Sequence, residues 1–268
     1  MKDRPEKPFD SKEFFKFETA HFFMLNQLFP YEPDRIKVFN ALKDIAEVTR
    51  ANHKNSHAFM NDEMLIFGKS LGFLREKKLI DASDGLLIEP WDKATIWRKH
   101  VLTWAGDHCV KLDGDFLEFG CYDGKGSMFI NEYNELTKRN IAFHLYDCFE
   151  APPDSEAFPK HSKELYGEVK KFFKEKKNVK VIKGILPDCI ETIPDNISWV
   201  HLDLNNAKAE IGVLEIIYDN IVPGGMIVLD DYGWIGYWEQ YVKEKDFFES
   251  KGLSILELPT GQGLVIKS

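Results

Sequence analysis

The run Asp115 to Ser127, DFLEFGCYDGKGS, limits what this chain can become more than any other stretch. Phe116, Leu117 and Phe119 form a short apolar run that suits a buried parallel strand. Gly120, Gly124 and Gly126 follow, and glycine there permits positive φ and lets the backbone approach a ligand closely. A helix starting near Ser127 would turn its free N–H groups toward whatever the loop holds. Strand, glycine loop and helix together read as the nucleotide-binding first turn of an α/β sheet. The glycine order is G-x-x-x-G-x-G, not the G-x-G-x-x-G of dinucleotide folds, and Glu118 stands two residues before the first glycine. A carboxylate at that point would repel a pyrophosphate. It suits a cationic ligand such as the sulfonium and amino groups of S-adenosylmethionine. Alone, the run also fits an ordinary glycine-rich loop after a core strand, so the residues downstream have to decide.

Downstream, strands and helices alternate. Ile141 to Tyr146 reads as a second strand ending in Asp147, where an acid would hold a ribose diol. The proline-rich CFEAPPD loop follows, then a basic amphipathic helix from Ser162 to Lys174 and a third strand, Val179 to Lys183, before Gly184-Ile185. Leu186 to Ile193 suits a short helix or turn. Trp199 to Leu202 is a fourth strand ending in Asp203, and Ala209 to Tyr218 is helical. Pro223-Gly224-Gly225 reads as a turn into a fifth strand, Met226 to Leu229, which ends in Asp230-Asp231-Tyr232. Tyr237 to Ser250 is a helix, and 254–258 and 263–267 pair through PTGQG as a terminal hairpin. The fold class expected is α/β, a doubly wound, mostly parallel seven-stranded sheet, with ligands beyond the carboxyl ends of the strands.

The segment before the glycine run reads as a helical extension over 1–90, with the sheet domain over 91–268. Residues 1–12 are charged and carry proline, as a mobile arm would. Phe14 to Phe29 is rich in aromatics that need a surface to pack on. Helices are expected over 35–49, over 56–74 (Phe59, Met60, Met64, Leu65 and Phe67 at helical spacing) and over 91–108. Arg98 and His100 on the last could line a site, though a surface arginine and a packed histidine are the plainer readings.

The net charge of −9 argues against a nucleic-acid partner, since no basic stripe offsets it. With 44% hydrophobic and 29% charged residues the chain can bury a sizeable core. No apolar run is long enough to span a membrane, and no signal-peptide core opens the chain. Four scattered cysteines, without C-x-x-C or zinc spacing, fit a reducing cytoplasm. A homo-oligomer stays open.

On these residues the chain over 100–268 resembles the class I S-adenosylmethionine-dependent methyltransferases. It is most similar to the macrocin, mycinamicin and novobiocin sugar O-methyltransferases. The matching pieces are KHVLTWAGD, FLEFGCYDGKGS, YDCFEAPP, HLDLN, IVPGGMIVLDDYGW and PTGQG. The resemblance implies that Glu118, Gly120, Cys121, Tyr122, Gly124, Gly126 and Ser127 hold the methionine part of the cofactor. It implies Asp147 at the ribose, Cys148 and Phe149 beside the adenosine, and Gly184 and Ile185 flanking the adenine. Asp203, Asp230 and Asp231 would bind Mg²⁺ or another divalent cation, with Asp203 also near the cofactor. Converging carboxylates need a cation or a shared proton in any case. Tyr232, Trp234 and Gln262 become the candidates to face a small, sugar-like hydroxyl acceptor.

One departure bears on mechanism. Where the family commonly carries an acid two residues after the first metal aspartate, this chain has Asn205. An amide cannot accept a proton at neutral pH. His201, two residues before Asp203, shares its strand face, but a packed strand histidine is the plainer reading. The acceptor proton is therefore expected to leave through metal-bound solvent or one of the metal acids. A nicotinamide-dependent oxidoreductase and a non-catalytic cofactor-binding relative are the competing readings.

Overall fold

The computed structural model describes residues 31–52, 59–61, 64–66, 69, 71–87, 92, 95–150 and 161–268. The expectations for 1–12 and 14–29, and most of the proline-rich loop after Asp147, lie outside the described residues. The chain divides into two compact units, Met1–His100 and Val101–Ser268.

In the first unit, α1 (Glu32–Asn52) opens with Glu32 and Asp34 in its first turn, where carboxylates complement the helix dipole. The helix expected over 56–74 is not what forms. β1 (Phe59–Asn61) and β2 (Met64–Ile66) pair antiparallel, with Phe59 opposite Ile66 and Asn61 opposite Met64. Apolar residues on both sides of a polar Asn-Asp-Glu centre satisfy a hairpin as well as a helix, and short apolar runs do not separate the two by period. Leu71 then adopts φ 46° ahead of a single 3₁₀ turn, Gly72–Arg75, which stops any helix from running to 74. α2 (Lys77–Ser83) follows. His100 stacks on Phe73 at 4.2 Å, the packed histidine anticipated, whereas Arg98 is buried and not on the surface.

α3 (Ile96–Cys109) leads into the sheet, whose strands are β3 (Asp115–Phe119), β4 (Phe143–Asp147), β5 (Val179–Lys183), β6 (Ile197–Leu202), β7 (Ile221–Leu229), β8 (Leu256–Glu257) and β9 (Gly263–Ile266). Their spatial order is β5-β4-β3-β6-β7-β9-β8. β5, β4, β3, β6 and β7 run parallel, and β9 closes antiparallel on β7. The central strands β4 and β6 are buried along their whole length, as strands covered on both faces must be. The edge strand β5 breaks that pattern with exposed Lys180 and Lys183, and β8 has only two residues; both devices discourage edge pairing.

Flanking helices are α4 (Lys125–Tyr133), α5 (Leu136–Arg139), α6 (Leu165–Phe172), α7 (Ala207–Ile217) and α8 (Trp238–Ser250). α7 is capped by Asn206, whose side chain accepts from the Ala209 N–H at 3.0 Å. On one sheet face Trp199 stacks on Phe116 at 5.2 Å and meets Phe143 edge-on at 5.9 Å. Such aromatic pairs add about 0.5–1.5 kcal/mol each beyond their burial. The other face buries Leu117, Val200, Leu202 and Ile227 in one cluster with Leu214 of α7 and Phe248 of α8.

Pro223-Gly224-Gly225 departs from expectation. It lies inside β7 and does not precede it. Partnering jumps from Ile197–Ile221 to Trp199–Met226, so the three residues form an irregularity in the ladder, with Gly224 at φ 83°. A bulge is where proline can sit within a sheet.

Candidate active site

The carboxyl ends of β3, β4, β6 and β7 are drawn together by main-chain bonds that continue the ladders past the strands. Gly120 donates to the Tyr146 carbonyl (2.8 Å), Asp203 to Phe119 (2.9 Å), Asp230 to Leu202 (2.9 Å) and Gly184 to Asp147 (3.0 Å). Gly120 is required at its position. Its φ is 96°, and a Cβ there would lie 1.8 Å from the Asp203 carbonyl oxygen. Gly184 is packed as tightly, its Cβ position falling 2.2 Å from that of Cys189. A Cβ at Gly126 would instead meet nothing within 4 Å, so space is open at the first turn of α4.

The two sides of this rim differ. On the β3–β4 side, the Asp147 carboxylate accepts the Tyr122 N–H on Oδ2 and the Phe149 N–H on Oδ1, both at 2.7 Å. Tyr122 and Phe149 are left-handed non-glycine residues, at φ 47° and 58°, so two uncommon backbone conformations serve one carboxylate. Cys121 is buried, and burial first, then Asp147 and Glu118, push its thiol well above the ordinary value. Cys148 donates its thiol to the Glu150 carbonyl at 3.1 Å. Ser127 Oγ is buried at the start of α4 with no partner among the described residues. Ile185 is 74% exposed beside Gly184.

On the β6–β7 side, His201 bridges two carboxylates. Its Nδ1 lies 3.0 Å from Glu118 Oε1 and its Nε2 3.4 Å from Asp230 Oδ1. Burial alone lowers the imidazole's pKa, but Asp230 and Glu118 more than reverse this and raise it to about 10. The two carboxylates thus favour the protonated form of the ring that they hold between them. Glu118 Oε2, on the same buried carboxylate, has no hydrogen-bond partner among the described residues. An orphaned anionic oxygen at this depth is costly unless a cationic or donor group meets it.

Asp230 Oδ1 also accepts from Gln262 Nε2 at 2.9 Å, and Gln262 Oε1 accepts in turn from Thr260. Gln262 is thus fully buried and holds an acid of the site. Asn205, at φ 54°, turns its amide to Asp203 Oδ1 at 3.4 Å. Tyr232 is buried in the core and tilted against Tyr241, 4.7 Å between ring centroids, with its hydroxyl pKa raised by burial; Trp234 is half-buried against Gly261.

The donor set fits an oxygen-preferring cation in part. His201, Asp203 and Asp230 each offer a ligand atom within 4.8 Å of the others. His201 is engaged with Glu118 and Asp230, which leaves two hard carboxylates as the natural pair for a divalent ion. Asp231, the third acid expected there, is not in that group among the described residues.

A feature no motif pointed to lies behind the rim. Glu210 (α7) and Glu244 (α8) are both buried. Glu210 accepts from the Leu204 N–H and from Gln240 Nε2, each at 3.0 Å. Neither Glu244 oxygen has a hydrogen bond of good geometry among the described residues, and burial, then the facing Glu210 carboxyl, push it well above the ordinary carboxylate range. The available signal was a glutamate on the inward stripe of each of two amphipathic helices. His161 is the second omission, a lone histidine just after the proline-rich loop.

A family profile described as macrocin-O-methyltransferase (TylF) matches residues 107–254. Among solved structures the chain is similar to the O-methyltransferase NovP (14% identity, 66% of this chain and 81% of that one, TM-score 0.56). It is also similar to CalS11, a calicheamicin methyltransferase (12% identity, 74% and 94%, TM-score 0.55). A third is the S-adenosylhomocysteine-bound Podospora anserina methyltransferase PaMTH1 (15% identity, 84% and 96%, TM-score 0.53). These likenesses carry the Rossmann-like methyltransferase fold. No curated protein matches the chain in sequence. No helix among the described residues is long and apolar enough to cross a membrane. The family profile spans more than half of the sequence, and with it the nicotinamide reading falls away: the chain belongs to the TylF family of macrocin-O-methyltransferases and is an S-adenosylmethionine-dependent O-methyltransferase.

Proposed function

We propose that this enzyme methylates a hydroxyl group of a sugar-like small molecule in the cytoplasm, with a divalent cation held by Asp203 and Asp230 and with Asp231 as the next acid along. The observation that carries the reading is the His201–Asp203–Asp230 cluster at the ends of β6 and β7, directly beside Glu118 near the end of β3. S-adenosylmethionine, when bound, supplies the methyl group. A divalent cation, when bound, lowers the pKa of an acceptor hydroxyl.

The chain's own residues then divide the work. Glu118 Oε2 offers its unpartnered charge to the cofactor's amino group. Asp147 receives the ribose hydroxyls, and Gly184 with the exposed Ile185 flanks the adenine. His201, as an imidazolium, keeps Glu118 and Asp230 from repelling each other and fixes the distance between the cofactor and acceptor sides. Asn205 orients an acceptor oxygen by hydrogen bonding without taking its proton. Positioning of the two reactants supplies much of the rate.

The test is methyl transfer to a panel of nucleotide sugars and glycosylated small molecules, with chelator and after Mg²⁺ is restored. Turnover of a sugar hydroxyl that vanishes in chelator and returns with Mg²⁺ is expected. Full activity in chelator would remove the cation, and turnover confined to non-sugar phenols would remove the acceptor class.

A further inference from the structure

We propose that His161 is a cofactor-binding residue that shares one ribose hydroxyl with Asp147; the proposal rests on the cofactor reading above. His161 Nε2 stands 3.7 Å from Asp147 Oδ1. That is too long for a direct hydrogen bond. Two groups at that separation can each reach one oxygen placed between them at about 2.8 Å. A hydroxyl suits that place because it donates once and accepts twice. It would donate to Asp147 Oδ1 and accept from the imidazole N–H.

The histidine is built into this position. The Ser162 N–H bonds to the Phe149 carbonyl at 3.2 Å, which returns the chain to the end of β4 immediately after His161. The imidazole meets the Tyr122 ring edge-on, 5.2 Å between centroids and 86° between planes, and its side chain is only 10% exposed. Tyr122 is the same residue whose N–H holds Asp147 Oδ2. Each oxygen of Asp147 already takes one main-chain donor, so its direction is fixed and a ribose must approach along what remains. His161 borders that approach.

Cys148 Sγ lies within 4.8 Å of the same two groups, which raises a soft metal ion as a rival occupant. A metal-binding thiol must lose its proton. Burial and then Asp147 raise the Cys148 thiol pKa, and the thiol donates to Glu150, so the cluster favours a neutral hydroxyl over an ion.

The experiment is calorimetric titration of the wild type, His161→Ala and His161→Gln with S-adenosylhomocysteine and with its 2′-deoxy and 3′-deoxy analogues. The wild type should lose about tenfold in affinity when the shared hydroxyl is removed, and His161→Ala should bind the parent ligand about tenfold more weakly. His161→Ala should no longer distinguish the parent from that one deoxy analogue, and His161→Gln, which keeps a donor, should recover part of the difference. Unchanged affinity in His161→Ala, or an equal loss toward the parent and both analogues, would overturn the proposal while leaving the cofactor reading intact. A wild type that does not bind S-adenosylhomocysteine would overturn both.

Discussion

On the β4 side of the rim Asp147 is held by main-chain N–H groups; on the β7 side Asp230 is held by the side chains of His201 and Gln262. The first arrangement depends on backbone conformation, the second on which side chains stand nearby. A ligand common to many enzymes can be met by backbone geometry that survives sequence change. An acceptor that differs between enzymes calls for a wall made of replaceable side chains. Asn205, which turns its side-chain amide to Asp203, is on the replaceable side.

The strongest way to break the contrast is at the residue common to both sides. Gly120→Ala forces a Cβ into the Asp203 carbonyl at a left-handed φ, and should cost about 3–5 kcal/mol in denaturant unfolding. A midpoint equal to the wild type's would mean that the strand ends separate easily. Next, Asp147→Ala should weaken S-adenosylhomocysteine binding by about 1.5–3 kcal/mol in calorimetry. The Mg²⁺ dependence of the residual activity should be unaltered, since that belongs to the other side. Loss of both responses together would erase the distinction.

A third prediction concerns pH. The raised pKa of Glu244 penalises the folded state increasingly as pH climbs above the ordinary carboxylate value of 4.5. Glu244→Gln should therefore stabilise the protein at pH 8 by about 1–3 kcal/mol and lose that advantage near about pH 4. His201 also makes stability fall with rising pH, but its effect begins at a higher pH. Its contribution is complete below 6.5 and disappears as pH rises through about 10. In chelator, Glu244→Gln should flatten the dependence of the melting temperature on pH from about 4.5 upward, and His201→Gln only from about 6.5 upward. Identical profiles for the two variants would contradict the assignment. The smallest effect is expected at Asn205→Asp, which places a carboxylate beside Asp203 and should leave activity equal or up to about threefold higher. An inactive variant would show that the amide's donor is indispensable.

The sheet was legible in the sequence because its strands are apolar runs closed by recognisable residues: Gly120, Asp147, Asp203, Asp230. The hairpin at 59–66 was not, since residues such as Met60, Met64 and Leu65 satisfy helical and extended spacing alike. The placing of Pro223-Gly224-Gly225 within β7 escaped because a bulge and a turn draw on the same residue types. The Glu210–Glu244 pair escaped for another reason. Two carboxyls 34 positions apart in sequence become neighbours only when α7 packs on α8, and no local pattern reports that.

The 1.8 Å between a would-be Cβ at Gly120 and the Asp203 carbonyl has a consequence for protein engineering. Acceptor preference is commonly altered by transplanting loops from one relative into another. Here the loop that follows β6 begins at a carbonyl pressed against the glycine loop of β3. A graft beginning at Asp203 inherits a partner surface 83 residues upstream, at Gly120. The practical unit of exchange is therefore discontinuous: the segment after Leu202 must travel with the Phe119–Gly120 step, and chimaeras cut between the two should fail at expression before their specificity can be measured.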